Sequence, residues 1–193
     1  MSKTITQNST PPTPIIDSPS EWVREHIESY VKTDGAEGHD WNGVPCMLLT
    51  TQGRKTGSWN RSALIYGTDG NDLVLIASKG GAPSHPLWFE NLVQNPQIWV
   101  QVGADKYWAT AHVIDPTTDA DKRTRLWKSM AAIWPGYDEY QIKADEVGRV
   151  AVLQRLGDRV EQAVDGTASV GARQAGLLGN RSDDVGLGEV CHV

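Results

Sequence analysis

From Val44 onward the chain is a succession of short β-like runs broken by glycine, and the order of those runs limits the fold more than any other feature. Val44 to Thr51 is strand-like until Gly53-Arg54-Lys55-Thr56-Gly57 interrupts it. Arg61 to Thr68 follows, with Ala63 and Ile65 on one face and Leu64 and Tyr66 on the other. Asp69-Gly70-Asn71-Asp72 is a hairpin turn into Leu73 to Ser78, and Gly103-Ala104-Asp105-Lys106 joins Ile98–Val102 to Tyr107–Ile114 in the same way. Val150 to Leu153 reads as a last strand. Two helices are inserted. One starts near Pro86, presents Leu87, Trp88, Asn91 and Leu92, and ends at Asn95-Pro96. The other runs from about Thr118 to Trp134 and is stopped by Pro135-Gly136. A doubly wound parallel sheet needs strand and helix to alternate. Hairpins in series predict a mostly antiparallel barrel, mainly β with α+β character, and helices packed over it.

Upstream, Ser18 or Ser20 caps a helix over Glu21 to Lys32, where Trp22, Val23, His26, Ile27, Tyr30 and Val31 recur at a period near 3.6. Its polar face mixes acid and base, so it packs on the domain; a peripheral membrane contact is compatible with it but not indicated. Residues 1–17 are rich in Thr, Ser, Pro and Asn and are expected to be disordered. The 37 residues 157–193 contain seven Gly and no aromatic, and the same expectation applies to them. The folding unit is then 18–156.

Composition excludes several functions. With 24 acidic against 18 basic side chains and a pI near 5.3, the average charge does not supply the cationic face that a general nucleic-acid binder requires, which leaves room for a local basic groove. A mean hydropathy of -0.42 and the lack of a long apolar run exclude a membrane helix. Two distant cysteines, Cys46 and Cys191, predict no disulfide, and the cytoplasm is the expected compartment. The five His residues show no ligand spacing, so no metal is expected. Neither a Gly-x-Ser-x-Gly elbow nor a P-loop is present.

Two Gly-flanked basic loops remain, each at a strand end. Arg54, Lys55 and Thr56 lie in the first, and Ser78, Lys79, Gly80 and Gly81 in the second. Guanidinium, ammonium and hydroxyl donors beside permissive backbone bind phosphate or carboxylate oxygens, so an anionic ligand is expected. A third cluster, Trp134-Pro135-Gly136-Tyr137-Asp138-Glu139-Tyr140, either walls a pocket for a planar ligand or closes the core.

These segments carry a resemblance. Gly53-Arg54-Lys55-Thr56-Gly57-Ser58-Trp59, Leu64-Ile65-Tyr66-Gly67-Thr68-Asp69-Gly70, and Ala77-Ser78-Lys79-Gly80-Gly81 running on to Pro86-Leu87-Trp88-Phe89-Glu90-Asn91-Leu92 resemble the deazaflavin (F420)-dependent nitroreductase family, split-barrel oxidoreductases of actinobacteria. Trp134-Pro135-x-Tyr137-x-x-Tyr140-Gln141 is similar to their C-terminal aromatic signature, and the similarity spans about Trp22 to Leu153.

The resemblance implies a split β-barrel and coenzyme F420, which combines a planar ring with a phosphate and a polyglutamate tail. Arg54, Lys55, Thr56, Ser78 and Lys79, with the Gly80-Gly81 backbone, fall where the family holds the phosphate and tail, and Ala77 is a further cofactor-binding position. Main-chain groups of Asn60, Arg61, Ser62, Ala63, Leu64 and Ile65 would line the ring, with Leu87, Trp88 and Asn91 closing the site. Trp134, Tyr137 and Tyr140 fall at the substrate, and the proton comes from solvent or from Tyr137 as catalytic residue. Of the eight Trp, Trp88 and Trp134 are thereby assigned to the site. Relatives commonly carry Arg and Pro where this chain has Asn60 and Ala63; the neighbouring charge, Arg61, points to the opposite face of an extended segment. The implied activity is hydride transfer from reduced F420 to a small-molecule acceptor: a quinone, a nitroaromatic or another conjugated electrophile. An FMN-binding split-barrel oxidoreductase and a non-catalytic deazaflavin carrier are the alternatives. Either a monomer or a homodimer fits.

Overall fold

The structure is a computed structural model, and it describes residues 10–143 and 149–156. In chain order the elements are β1 (Ile15–Ile16), α1 (Glu21–Lys32), β2 (Asp40–Trp41), β3 (Val44–Gln52), β4 (Trp59–Ile65), β5 (Gly67–Asp69), β6 (Asp72–Ala77), α2 (Leu87–Gln94), β7 (Gln97–Val102), β8 (Asp105–Val113), α3 (Ala120–Ile133), α4 (Gly136–Lys143) and β9 (Arg149–Arg155). The strands form one mixed sheet of order β1-β4-β3-β7-β8-β9-β6-β5, with β2 paired to β3. Only β1 and β4 are parallel among the described pairs; the rest are antiparallel. This is an α+β fold.

Both hairpins close where the turn residues require. Asp69 pairs with Asp72 around Gly70-Asn71, and Val102 pairs with Asp105 around Gly103-Ala104. Gly70 and Gly103 have φ of 63° and 57°, a left-handed conformation that glycine adopts without steric cost.

The sheet is buried on both faces, which is why β3 reads as an almost unbroken apolar run. One face contributes Met47, Leu49, Leu75, Ile98 and Leu153 to a cluster completed by Trp88, Phe89 and Leu92 of α2. The other contributes Cys46, Leu48, Ile65, Val74 and Val152 to a cluster with Ile27 and Tyr30 of α1, Met130 of α3, and Tyr137 and Tyr140 of α4. Tyr30 is fully buried, and its hydroxyl is satisfied from three sides: it accepts from Gly103 N at 2.8 Å, donates to Cys46 O at 3.1 Å, and lies 3.1 Å from His39 Nδ1. Burial pushes its pKa up to about 12.

Three differences from the expected fold have identifiable physical causes. Residues 15–17 are ordered: Ile15 and Ile16 pair with Trp59 and Asn60, and Asp17 forms a bidentate ion pair with Arg61 at 2.7 Å for each bond. The disorder expected over 1–17 therefore fails there, because partners distant in sequence supply the hydrogen bonds that the segment's own composition lacks. The strand expected over Arg61 to Thr68 is divided at Tyr66 into β4 and β5, which pair with different neighbours. A third helix was not expected after α1: Pro135-Gly136 ends α3 but also starts α4, which buries Tyr137 and Tyr140 at helical spacing. Among the described residues there are three α-helices beyond α1, where two were expected. The tail 157–193 lies outside the described residues. No described helix is long and apolar enough to cross a membrane.

His26 of α1 makes the stability pH-dependent. Its Nε2 is buried without a hydrogen-bond partner among the described residues, and burial lowers its pKa below 6.5. The folded chain therefore binds this proton more weakly than the unfolded chain, so the contribution is complete above pH 6.5 and is lost as pH falls through the folded value. Thermal melts should show a drop between about pH 7.5 and pH 5 that is smaller in His26→Gln. Equal drops in both proteins would remove His26 as a cause.

Candidate active site

Strand directions place the two basic loops at the same end of the sheet. In the order β3-β7-β8-β9-β6 every neighbouring pair is antiparallel, so β3 and β6 run the same way and their C-terminal ends share one end of the sheet. The loops that follow them, 53–57 and 78–81, therefore emerge at that end, and α2 begins and finishes there.

Between β4 and β6 the sheet is open. β4 passes into β5 through Tyr66 alone, and β5 pairs with β6 only as far as Gly67 opposite Val74. Beyond that point β4 pairs with β3 while β6 pairs with β9, and no ladder joins residues 61–65 to residues 75–77 among the described residues. The result is a break in the hydrogen-bonded ladder between β4 and β6 that leaves main-chain N–H and C=O groups on these edges, and the basic loops follow β3 and β6 at that end of the sheet.

The first loop is closed by Gly57 N donating to Gly53 O at 2.8 Å and Gly53 N donating to Ser58 O at 2.7 Å. Lys55 and Thr56 are exposed. Arg54 is tied to α2: Asn91 Oδ1 accepts from its N at 3.1 Å and from Nη1 at 3.4 Å, and Nη2 is in contact with Glu90 Oε2. Asn91 is buried and also donates to Thr51 Oγ1 at 3.4 Å.

The second loop has a strained backbone. Ser78 is right-handed, whereas Lys79, Gly80 and Gly81 have φ of 45°, 61° and 81°. Lys79 in that region is uncommon for a residue with a side chain. A right-handed residue followed by a left-handed one turns successive N–H groups inward to form an anion-binding nest. A Cβ added to Gly80 would enter open space, so the cradle is open at that position. Lys79 Nζ donates to Ser84 Oγ at 3.0 Å. A Cβ on Gly81 would lie 3.2 Å from Tyr140 Cα and 3.3 Å from Lys143 Cβ, so α4 packs directly on this loop.

The structure thus brings Arg54 to Asn91, and Ser78 to Gly81 against Tyr140. The remaining candidates differ in exposure and partners. Ala63, Leu64, Ile65, Ala77 and Trp88 have buried side chains, so what the strand residues present at these edges is main chain. Asn60 Nδ2 donates to Ser58 O at 2.9 Å, Ser62 is half-buried, and Leu87 is exposed on the first turn of α2. Arg61 does not take the place of a cation at Asn60, because Asp17 neutralises it. Trp134 packs against Trp41, with ring centroids 6.2 Å apart, and its Nε1 is buried without a partner among the described residues. Tyr137 is buried between Trp127 and Tyr140, at centroid distances of 6.3 and 6.4 Å. Glu90, Ser84 and Lys143 escaped the sequence reading. Glu90 adjoins Asn91 on α2 within the segment that carries the family resemblance, and that placement was the sequence signal for it.

An anion nest and a lysine-bearing loop at the same end of a divided sheet have the donor chemistry that suits a ligand with an anionic arm. The family model for F420H(2)-dependent quinone reductase matches residues 22–155. An F420H(2)-dependent quinone reductase of Mycobacterium tuberculosis is 36% identical over 135 residues, covering 69% of this chain and 89% of that protein. A solved F420-H2 dependent reductase has a TM-score of 0.51 at 32% identity, covering 57% of this chain and 94% of its own. Another solved chain, described as a domain-swapped dimer, has a TM-score of 0.54 at 33% identity and covers 71% of this chain and 100% of its own. The chain belongs to the F420H(2)-dependent quinone reductase family. It is an F420-dependent oxidoreductase, and F420 is its cofactor. The donors fit that group: the Ser78–Gly80 nest, Lys79 and Lys55 suit phosphate and carboxylates, and the main-chain edges of β4 and β6 suit a flat ring.

Proposed function

We propose that this chain reduces quinones, and with them nitroaromatics and other conjugated electrophiles, within a split β-barrel formed by residues 18–156. The observation that carries this reading is the interrupted ladder between β4 and β6, with a basic loop following β3 and β6 at the same end of the sheet. Two further features support the barrel. β4 and β5 stand near opposite ends of the strand order yet are joined through one residue, and both apolar clusters draw on strands from both ends.

When bound, reduced F420 supplies a hydride from ring carbon C5. Lys55, Thr56, Ser78, Lys79 and the Gly80 N–H would hold its anionic groups, and Arg54 would join them from the edge of α2. Main-chain groups of Asn60 to Ile65 would orient the ring, backed by Ala77, Trp88 and Asn91, with Leu87 at the rim. Trp134, Tyr137 and Tyr140 would wall the acceptor and exclude water, which strengthens every polar contact in the site. The Tyr137 hydroxyl would donate a proton to the reduced acceptor oxygen. A homodimer is the proposed assembly, supported by the domain-swapped neighbour. The cytoplasm is the proposed compartment, on the basis of the two distant cysteines.

Fluorescence titration with F420 beside FMN tests the reading, followed by turnover with a quinone and a nitroaromatic. F420 should bind with micromolar or tighter affinity and FMN more weakly. Tyr137→Phe should lower kcat by roughly tenfold with F420 affinity unchanged. No spectral change with F420, or a yellow FMN-loaded protein, would sink the assignment; binding without turnover of any acceptor would make the chain a carrier.

A further inference from the structure

Glu90 is a charged residue on α2 to which neither the core nor hydride transfer assigns a role. Its carboxylate meets Arg54 Nη2, and both side chains are partly open to solvent, at 26% for Arg54 and 33% for Glu90. The mechanical link between loop and helix does not depend on it. Buried Asn91 already fixes Arg54 by accepting from its main-chain N and from Nη1, and holds Thr51 through its own amide. Glu90 adds charge to that link rather than geometry.

The three loop cations differ in what they face. Lys55 is exposed and has no hydrogen bond or ion pair among the described residues, and Lys79 donates to the neutral hydroxyl of Ser84. Arg54 alone of the three faces an acid among the described residues. A guanidinium receives carboxylate and phosphate oxygens through the same fork of N–H donors, so Glu90 occupies it in the way an anionic ligand would.

We propose that Glu90 is an internal anion that holds Arg54 until an anionic group of the cofactor displaces it, which makes Glu90 a specificity-determining residue of the site. This rests on the cofactor reading above. A carboxylate tethered beside its partner competes at high effective concentration, and it also repels an incoming anion. A small anion that can reach only Arg54 loses that competition. A ligand whose oxygens engage Arg54, Lys55 and the second loop together wins it. An exposed pair of this kind is weak, so the competition costs the ligand roughly fivefold in affinity and does not exclude it.

The test is a fluorescence titration of wild type, Glu90→Gln, Glu90→Ala, Arg54→Ala and the Glu90→Gln/Arg54→Ala pair with F420, at low and high salt, with inorganic phosphate as competitor. Both Glu90 variants should tighten F420 binding roughly fivefold at low salt and steepen its loss with added salt. Phosphate should compete better by at least the same factor. With Arg54 already removed, Glu90→Gln should change affinity by less than about twofold. Unchanged or weaker binding by both variants, at wild-type melting temperature, overturns the proposal, as does a gain that survives in full without Arg54. Wild-type protein that binds no F420 overturns the cofactor reading and this inference with it, whereas wild-type binding with no gain on removing Glu90 overturns the inference alone.

Discussion

Replacing Lys55 and Lys79 together by alanine should lower F420 affinity by about 100-fold and move the melting temperature by no more than about 2 °C. The affinity loss follows from the chemistry of the two side chains. Each can make a charge-assisted hydrogen bond to an anionic oxygen, and losing one typically costs about 1.5 kcal/mol at a half-open site. Stability is spared because Lys55 is exposed and Lys79, among the described residues, donates a hydrogen bond only to exposed Ser84. Alanine at 79 keeps the left-handed strain already present at φ 45°, so the nest survives in the variant. The slope of affinity against salt should flatten as well, since fewer cations remain to be screened. A loss below threefold, with the slope unchanged, would place the anionic arm of the cofactor away from both loops.

How far the site could be read in advance follows from the range of the interactions. The hairpins at Gly70 and Gly103 and the helix over Glu21 to Lys32 are written in local turn chemistry and periodicity, and the structure has them where expected. The two basic loops were visible for the same reason, as glycine-flanked charges at strand ends. That they lie at the same end of the sheet was not visible, because it depends on β3 and β6 running the same way across three intervening strands. Pairings across long stretches of chain were equally hidden. Arg61 finds Asp17 44 residues away, and Arg54 finds Asn91 37 residues away. A sequence shows that such a residue is charged but not which partner already engages it. Strand β1 escaped notice because it has two residues and borrows its ladder from β4. Helix α4 escaped because the Pro-Gly pair that stops one helix is also compatible with starting the next.

Trp88→Ala should destabilise the protein by about 4 kcal/mol, lowering the melting temperature by roughly 8 to 16 °C. From sequence this indole belonged to the cofactor site, yet its side chain is only 4% exposed and sits in the cluster under α2. Its ring meets Phe89 edge-on, at 5.9 Å and 87°. Truncation removes a large apolar group and leaves a cavity that neighbouring strands cannot collapse to fill. Affinity for F420 should fall too, by a route distinct from direct contact. Asn91 lies three residues along the same helix and fixes the main chain of Arg54, so a loosened α2 loosens the first loop. The two roles separate experimentally. If the indole is core, Trp88→Phe recovers most of the stability, and affinity across variants follows the melting temperature. If the ring instead contacts the deazaflavin, Trp88→Ala loses affinity while its melting temperature stays within a few degrees of wild type. Melting curves and fluorescence titrations on the two variants, run well below the lower melting point, decide between these outcomes, and the buried position of the ring favours the first.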